Sequence, residues 1–172
     1  MAAPISAAAV KALRERTNAG IMECRNALEE TGGDTEKAVE LLRQRGIMKA
    51  GKKADREAKQ GLVESYIHGG GRIGVLVELN CETDFVARTD GFRTLARDIA
   101  MQVAAMSPRY VKPDERPADT DGDDPENLSL LEQPFIRDPK KTIEDLVKEN
   151  IAILGENIVV RRFVRYELGQ GE

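Results

Sequence analysis

The first fifty residues carry apolar positions at helical spacing in three short segments. Ser6 can cap the first helix, which we expect to end near Gly20. Gly32 can end the second helix in a left-handed conformation, and Asp34 can cap the third, which we expect to stop before Gly46. The positions expected to face inward are Val10, Leu13, Ile21, Cys24, Ala27, Leu28, Ala38, Val39, Leu41 and Leu42. Residues 1–54 are therefore expected to form a small three-helix module that ends in a basic linker.

Basic residues dominate the stretch that completes this module. Between positions 43 and 59 the acidic Asp55 and Glu57 are outnumbered by basic side chains, namely Arg43, Arg45, Lys49, Lys52, Lys53, Arg56 and Lys59. A charge run of this kind is usually the solvated face of a linker or connecting helix. The alternative is a patch that meets an acidic partner.

Apolar and polar residues alternate from Gly61 onward, which predicts a β-hairpin over residues 61–81. Three consecutive glycines, beginning at Gly69, can supply the positive φ angles of its turn. The second strand should bury one side, made of Ile73, Val75, Val77 and Leu79. A helix over residues 90–106, capped by Asp90, should cover the sheet with an apolar stripe of Phe92, Leu95, Ala96, Ile99, Val103 and Met106.

The last third of the chain predicts a loop, a helix and a strand. Residues 112–127 are rich in Pro and acidic side chains, which predicts a mobile loop. Thr142 and Asp145 form a capping-box-like pair at the start of a helix over residues 142–154. Residues 157–168 predict a strand with one face made of Ile158, Val160, Val164, Tyr166 and Leu168. The fold class is α+β: the N-terminal helices precede a core, residues 55–172, in which a small antiparallel sheet packs with helices.

Composition and charge exclude several classes of protein. The 172 residues are 41% hydrophobic and 33% charged, which is typical of a folded globular chain. A net charge of −4 argues against direct nucleic-acid binding, and no apolar run approaches the roughly 20 residues of a membrane helix. The start lacks the pattern of a signal peptide, so Cys24 and Cys81 are expected to be reduced thiols of a cytoplasmic protein without a metal site.

The sequence gives little evidence of motifs for covalent chemistry. Residues 69–74 match the G-x-G-x-x-G dinucleotide pattern, but that motif needs a helix after the glycines, where this sequence predicts a strand. The single histidine, His68, lies beside the turn, where it is most simply a solvated side chain. No P-loop, G-x-S-x-G or H-E-x-x-H motif occurs. We therefore expect neither enzymatic activity nor a cofactor.

The N-terminal module resembles the ubiquitin-associated (UBA) three-helix fold through the segment AGIMECRNALEETGGDTEKAVELLR. In that fold a small apolar patch begins at the positions of Ile21 and Met22. Adjacent residues on a helix point about 100° apart, so both side chains cannot face the core. We expect Ile21 to face inward and Met22 to be exposed.

The segment NCETDFVAR places an aromatic residue directly after a strand. On physical grounds alone Thr83 can cap a short helix, Asp84 suits its positive N-terminal end, and Phe85 can pack inward. The segment also resembles the T-D-F-V signature of the translation elongation factor Ts family. Further segments that resemble this family are LRERTNAGIMECRNALEETGGD, KKADREAKQGLVESYI and GENIVVRRFVRYELG. The resemblance is to the short bacterial form and covers nearly the whole chain apart from the acidic loop.

This resemblance implies a guanine-nucleotide exchange factor for elongation factor Tu, the GTPase that carries aminoacyl-tRNA to the ribosome. In the family the T-D-F-V turn enters the GTPase near its Mg²⁺ site, and the matching positions are Thr83, Asp84, Phe85 and Val86. On this interpretation Phe85 is an exposed wedge. The family's N-terminal contact with the GTPase corresponds to Arg14, Ile21 and Met22.

The resemblance also leads to a hypothesis about the oligomeric state. Longer family members have a second, related core half, which this chain lacks. We therefore expect a homodimer that pairs through residues 158–168, which begin with Ile158 and end with Leu168.

The rival function is a UBA-type adaptor that binds ubiquitin or nascent chains through residues 1–50 and has no exchange activity.

Overall fold

The structure is a computed structural model that describes residues 5–17, 19–118 and 129–170. Most of the acidic loop at 112–127, including its expected mobility, lies outside the described residues. Its described beginning forms a short 3-10 turn at Pro113–Glu115. The fold is α+β, as predicted, with helices packed on a small antiparallel sheet. No helix in the described ranges combines the length and the apolar character needed to cross a membrane.

Three helices open the chain: α1 (Ala7–Thr17), α2 (Ile21–Glu30) and α3 (Thr35–Gly51). Their buried side chains form one apolar cluster of Val10, Leu13, Cys24, Ala27, Leu28, Ala38 and Leu42. The inward setting of Ile21 was wrong, because this first residue of α2 is 56% exposed. Cys24, one turn later, begins the buried face of the helix.

Helix α3 does not stop before Gly46, as the sequence predicted, but continues to Gly51. Its glycine serves a close approach between helices rather than a helix end. A Cβ atom at position 46 would lie 2.9 Å from the Cβ of Ala152, so only glycine fits without a shift. The contact brings α3 against a later helix, α6 (Ile143–Leu154).

The hairpin consists of β1 (Gln60–His68) and β2 (Ile73–Cys81), and a third strand, β5 (Ile158–Glu167), pairs antiparallel with β2. Gly69, Gly70 and Gly71 all adopt positive φ in the turn, as expected. Two helices separate the hairpin from the loop: the short α4 (Asp84–Ala87) and the long α5 (Asp90–Met106). Between the loop and α6 lie a 3-10 turn (Leu130–Glu132) and the small hairpin of β3 (Pro134–Phe135) and β4 (Asp138–Thr142).

Helix α5 covers the inner face of the sheet with the predicted stripe, although both of its ends differ from the prediction. Thr89, not Asp90, is the N-cap, since the Thr89 hydroxyl accepts the amide of Phe92 at 3.3 Å. Met106 is exposed rather than inward because it is the last residue of the helix, directly before the left-handed Ser107. The other stripe residues are buried.

Strand β5 does not keep one face throughout, as its alternation predicted. Glu78 pairs with Arg162 and Leu79 with Val160, so a β-bulge at Arg161 shifts the register. Ile158 and Val160 are therefore buried on the inner face, whereas the residues after the bulge that were expected beside them are exposed: Val164, Tyr166 and Leu168. Phe163, which the alternation set on the face opposite to these residues, packs against the core.

Candidate functional site

The T-D-F-V segment forms the corner between β2 and α5. Thr83 is extended, with φ −128° and ψ 155°, and its hydroxyl caps α4 by accepting the amide of Val86 at 3.4 Å. Asp84 is the first residue of α4, where a negative charge suits the partial positive charge of the helix end. The predicted cap and short helix are therefore present.

Phe85 lies on the outer side of this corner and is 79% exposed. The neighbouring positions hold the turn to the protein, because Ala87 is buried and Val86 packs against the main core. The inward packing of Phe85 that simple burial arguments suggested was wrong. One turn of helix cannot bury three consecutive side chains, so anchoring Val86 and Ala87 leaves Phe85 outward.

A carboxylate from the far end of the chain holds the corner in place. Glu156 Oε2 accepts the amides of Glu82 at 3.1 Å and Thr83 at 2.9 Å, and the Thr83 hydroxyl donates to Glu156 Oε1 at 2.6 Å. The arrangement is reciprocal, since the amide of Asn157 donates to Glu82 Oε1 at 2.7 Å. Charge-assisted bonds of this kind are stronger than neutral ones, so the end of β2 is fixed to the turn before β5.

Asn157 extends this framework to the segment that follows α3. Its buried side-chain amide donates to the carbonyls of Ala54 at 3.1 Å and Arg56 at 2.7 Å. The Arg56 guanidinium also lies 3.6 Å from Glu82. The connection from the N-terminal helices is thus tied to the same corner.

The charge of Asp84 remains near the protein surface. Its carboxylate pairs with Arg88 one turn later at 2.9 Å, and both side chains are substantially solvated. Exposed pairs of this type contribute about 0 to 1 kcal/mol, so a partner can rearrange this one at little cost.

Cys81 closes the strand beneath the corner. Its thiol is buried and donates to the Thr83 carbonyl at 3.1 Å. Burial, together with the nearby Glu156 carboxylate, raises the pKa of the Cys81 thiol, which keeps it protonated and unreactive. Its part in the corner is structural. No group of His, Cys, Asp and Glu that could hold a metal occurs among the described residues.

The second set of predicted site residues lies on the N-terminal helices. Arg14 is exposed on α1, and Ile21 and Met22 are exposed at the start of α2, Met22 by 62%. The exposure expected for Met22 is confirmed, while Ile21 joins it at the surface. The described residues make no hydrogen bond or ion pair between this set and the T-D-F-V corner, so the two form separate surfaces.

The basic stretch over residues 43–59, which begins within α3, is neither a bare solvated face nor a free patch, because most of its cations have internal partners. Arg43 pairs with Glu40 and Glu149, Arg45 with Glu30, and Lys49 with Glu23. The Lys53 ammonium donates to the Gly155 carbonyl at 2.6 Å. These four basic residues line a cavity of about 380 Å³ whose wall includes parts of α3 and α6. The bonds of Arg43 to Glu149 and of Lys53 to Gly155 join the N-terminal helices to the core.

Sequence reasoning missed Glu156, Asn157 and Glu82. Each is a polar residue in a turn or strand end, and no local periodicity distinguishes it from any solvated neighbour. Their roles depend on contacts between positions more than seventy residues apart along the chain. Of the three, Asn157 is unusual because it is a buried polar residue, but its burial can be seen only in the folded structure.

Comparisons with known proteins identify the family of this chain. A family model described as "Elongation factor TS" matches residues 7–121 and 125–170. The chain is 52% identical to elongation factor Ts of Carboxydothermus hydrogenoformans, over 97% of this chain and 90% of the relative. It is 51% identical to elongation factor Ts of Coprothermobacter proteolyticus, over 96% of this chain and 99% of the relative. The chain therefore belongs to the elongation factor Ts family and is a translation elongation factor.

Proposed function

We propose that this chain binds elongation factor Tu in its GDP state and accelerates GDP release by disturbing the Mg²⁺ and phosphate site. The observation that carries the proposal is the 79% exposure of Phe85 on a corner fixed by Glu156 and by the buried Ala87. A large apolar side chain held in water on a rigid support is typical of a surface that a partner covers. Thr83 and Val86 set the support, and Asp84 and Phe85 are the groups that enter the partner.

The energetics require displacement rather than covalent chemistry. A nucleotide held with nanomolar affinity is bound by about 12 kcal/mol, and Mg²⁺ that bridges its phosphates supplies much of that grip. Acceleration of release by about four decades needs roughly 5 to 6 kcal/mol of barrier lowering. By thermodynamic linkage, a factor that weakens GDP binding is itself weakened equally by GDP. The chain acts as a competing ligand and not as an enzyme.

The N-terminal helices provide the second contact with the GTPase. Arg14 supplies a charge and Ile21 and Met22 supply apolar surface, all of them exposed in the free chain. Anchoring at this separate surface raises the effective concentration of the Phe85 corner at the nucleotide site. We further propose that the chain works in the cytoplasm with this GTPase, without nucleic-acid or membrane contacts of its own.

A second copy of the chain completes the assembly. The outer face of the sheet exposes Leu76, Val164 and Tyr166. Leu76 on β2 lies opposite Val164 on β5, and Tyr166 lies in the adjacent row of the same face. Because β5 is an edge strand beside this uncovered apolar face, the face is suited to pairing with its own copy.

Release of a fluorescent GDP from elongation factor Tu, with and without this chain, tests the function directly. We expect the chain to accelerate release with a saturable dependence on its concentration. Complex formation without acceleration, together with binding of ubiquitin or unfolded chains to residues 1–50, would support the adaptor alternative instead.

A further inference from the structure

We infer that Glu156 is the positioning residue for the Phe85 wedge, acting through the Thr83 hydroxyl that begins α4. The part of this inference that concerns exchange rests on the proposed function. The part that concerns the corner itself rests only on the contacts of Glu156. Within the described residues, Glu156 makes its hydrogen bonds to Glu82 and Thr83 and none to Asp84 or Phe85, so its role is to orient and not to bind.

Glu156 determines the direction of one hydroxyl proton. Thr83 Oγ1 donates its single proton to Glu156 Oε1 at 2.6 Å, which leaves the oxygen lone pairs facing the amide of Val86. A threonine hydroxyl can otherwise rotate and use a nearby carbonyl as acceptor. Glu156 therefore selects the capping orientation, and the cap determines where α4 begins.

Glu156 also holds the backbone on which α4 begins. The other oxygen of Glu156 accepts two successive amides, those of Glu82 and Thr83, at the point where pairing of β2 with β1 and β5 ends at Cys81. Without Glu156, neither amide has another hydrogen-bond acceptor in the described structure. Two amides and a hydroxyl on one carboxylate fix both the position and the twist of the segment that carries Phe85.

The direction of the Phe85 wedge depends on this support. Helix α4 has only four residues, which is too short to be stable on its own. Its orientation comes from Val86 and Ala87 beneath it and from Glu156 at its start. A wedge acts by steric volume in a defined direction, and a misplacement of about 1 Å in such a contact can cost about 100-fold in rate.

The test replaces Glu156 by Ala and by Gln. Glu156→Gln keeps the two backbone contacts, because its amide oxygen can accept both amides, but its amide nitrogen is a donor and cannot accept the Thr83 hydroxyl proton. Glu156→Ala removes all three. The exposed carboxylate of Glu144, which pairs with Lys148 on α6, provides the matched control Glu144→Ala.

Amide hydrogen exchange, measured by NMR on the free chain, reports the protection of the backbone amides at the corner without any partner. We expect Glu156→Ala to accelerate exchange at Glu82 and Thr83 by tenfold or more, while amides in the middle of α5 keep their protection. Glu156→Gln and Glu144→Ala should stay close to the original protein. Unchanged protection of both amides in Glu156→Ala would overturn the inference.

Rates of nucleotide release from elongation factor Tu, compared in a double-mutant cycle, then test whether Glu156 acts through Phe85. Glu156→Ala should slow release by tenfold or more in the original chain and by less than twofold in the Phe85→Ala background, because the wedge it orients is gone. Equal losses in both backgrounds would show that Glu156 acts elsewhere, and would overturn its role as a positioning residue.

Two results separate this inference from the proposed function. If Phe85→Ala leaves release unchanged, the wedge proposal fails, and the exchange rates of the Glu82 and Thr83 amides alone decide whether Glu156 orders the corner. If Glu156→Ala does not fold, Thr83→Val breaks the same hydroxyl bond and should raise amide exchange at Val86 by tenfold or more. Retained protection at Val86 in that variant would overturn the argument from the hydroxyl.

Discussion

At the scale of single residues, the T-D-F-V corner assigns different tasks to adjacent side chains. Thr83 and Ala87 face the protein, one through a hydrogen bond and the other through burial, and Phe85 between them faces solvent. Substitutions at these positions should therefore separate activity from stability. The same separation should hold for the exposed residues of the N-terminal helices.

Phe85→Ala should slow GDP release from elongation factor Tu by tenfold or more, which corresponds to about 1.4 kcal/mol of barrier. It should change thermal stability little, because the side chain is already in water. A buried Phe→Ala change typically costs about 3 to 5 kcal/mol. Release kinetics and thermal melting on the same preparation give both values. A large drop in melting temperature with normal exchange per folded molecule would contradict the wedge.

Asp84→Asn should slow release because it removes a negative charge that competes for, or repels, groups around the partner's metal. The ion pair with Arg88 is the competing explanation, since the same substitution weakens it. Arg88→Ala is the matched control, because it breaks the pair and leaves the carboxylate in place. Release rates of the two variants, compared at low ionic strength, decide between them. Equal slowing by both would assign the effect to the ion pair.

Met22→Asp should leave the fold intact and weaken the complex with elongation factor Tu by tenfold or more. The physical reason is a charge placed in an apolar contact that excludes water. Met48, which is 67% exposed on α3, offers a control of the same residue type and similar exposure in Met48→Asp. Titration calorimetry gives the affinities and circular dichroism the fold. Unfolding of the N-terminal helices by Met22→Asp would place this residue in the core.

At the scale of elements, the contact of α3 with α6 depends on a single glycine. Gly46 lets the two helices meet, and the ion pair of Arg43 with Glu149 at 3.1 Å and the bond from Lys53 to Gly155 lie on either side of it. The division of the chain into a module of residues 1–54 and a core of residues 55–172 stays a prediction. The extension of α3 to Gly51 indicates that its last turns depend on this contact, since Ala50 is buried in the main core.

Gly46→Ala should destabilise the protein, although alanine favours helices by about 1 kcal/mol over glycine. The new methyl group would lie 2.9 Å from the Cβ of Ala152, and overpacking of this kind typically costs about 1 to 3 kcal/mol. Gly51→Ala on the same helix is the control, because a Cβ there meets no atom within 4 Å. Urea unfolding should place the midpoint of Gly46→Ala below that of Gly51→Ala. The reverse order would mean that α6 moves aside freely.

The sequence predicts elements well here and their ends less well, for physical reasons. The stripe of α5 and the alternation of β2 report burial directly, so periodicity identifies them. The bulge at Arg161 leaves no such trace, because one extra residue looks like any other until its pairing partner is known. Gly46 has the same ambiguity, since glycine ends helices and also lets them approach. Glu156 could be recognised only from contacts across the fold.

At the scale of the whole molecule, the bulge in β5 determines which surface the sheet offers to a partner. Opposite residues in antiparallel strands point to the same face, so Leu76 lies beside Val164, and Tyr166 lies opposite Gly74. Ile158 and Val160, before the bulge, are buried in the chain's own core. The part of the segment 158–168 that is available for a homodimer is therefore its exposed end, from Val164 to Leu168.

Leu76→Asp should convert a dimer into a monomer. Leu76 is 47% exposed and central in the sheet, so the substitution places one charge from each copy in the middle of the apolar face at little cost to the monomer fold. Both cysteines are buried, so no disulfide between copies secures the pair, and dimerisation should depend on concentration. Multi-angle light scattering at tens of micromolar should give the dimer mass for the original chain and for Met48→Asp, and the monomer mass for Leu76→Asp. A monomer mass for the original chain at that concentration would rule out the homodimer, and one chain would then have to cover the whole contact with the GTPase.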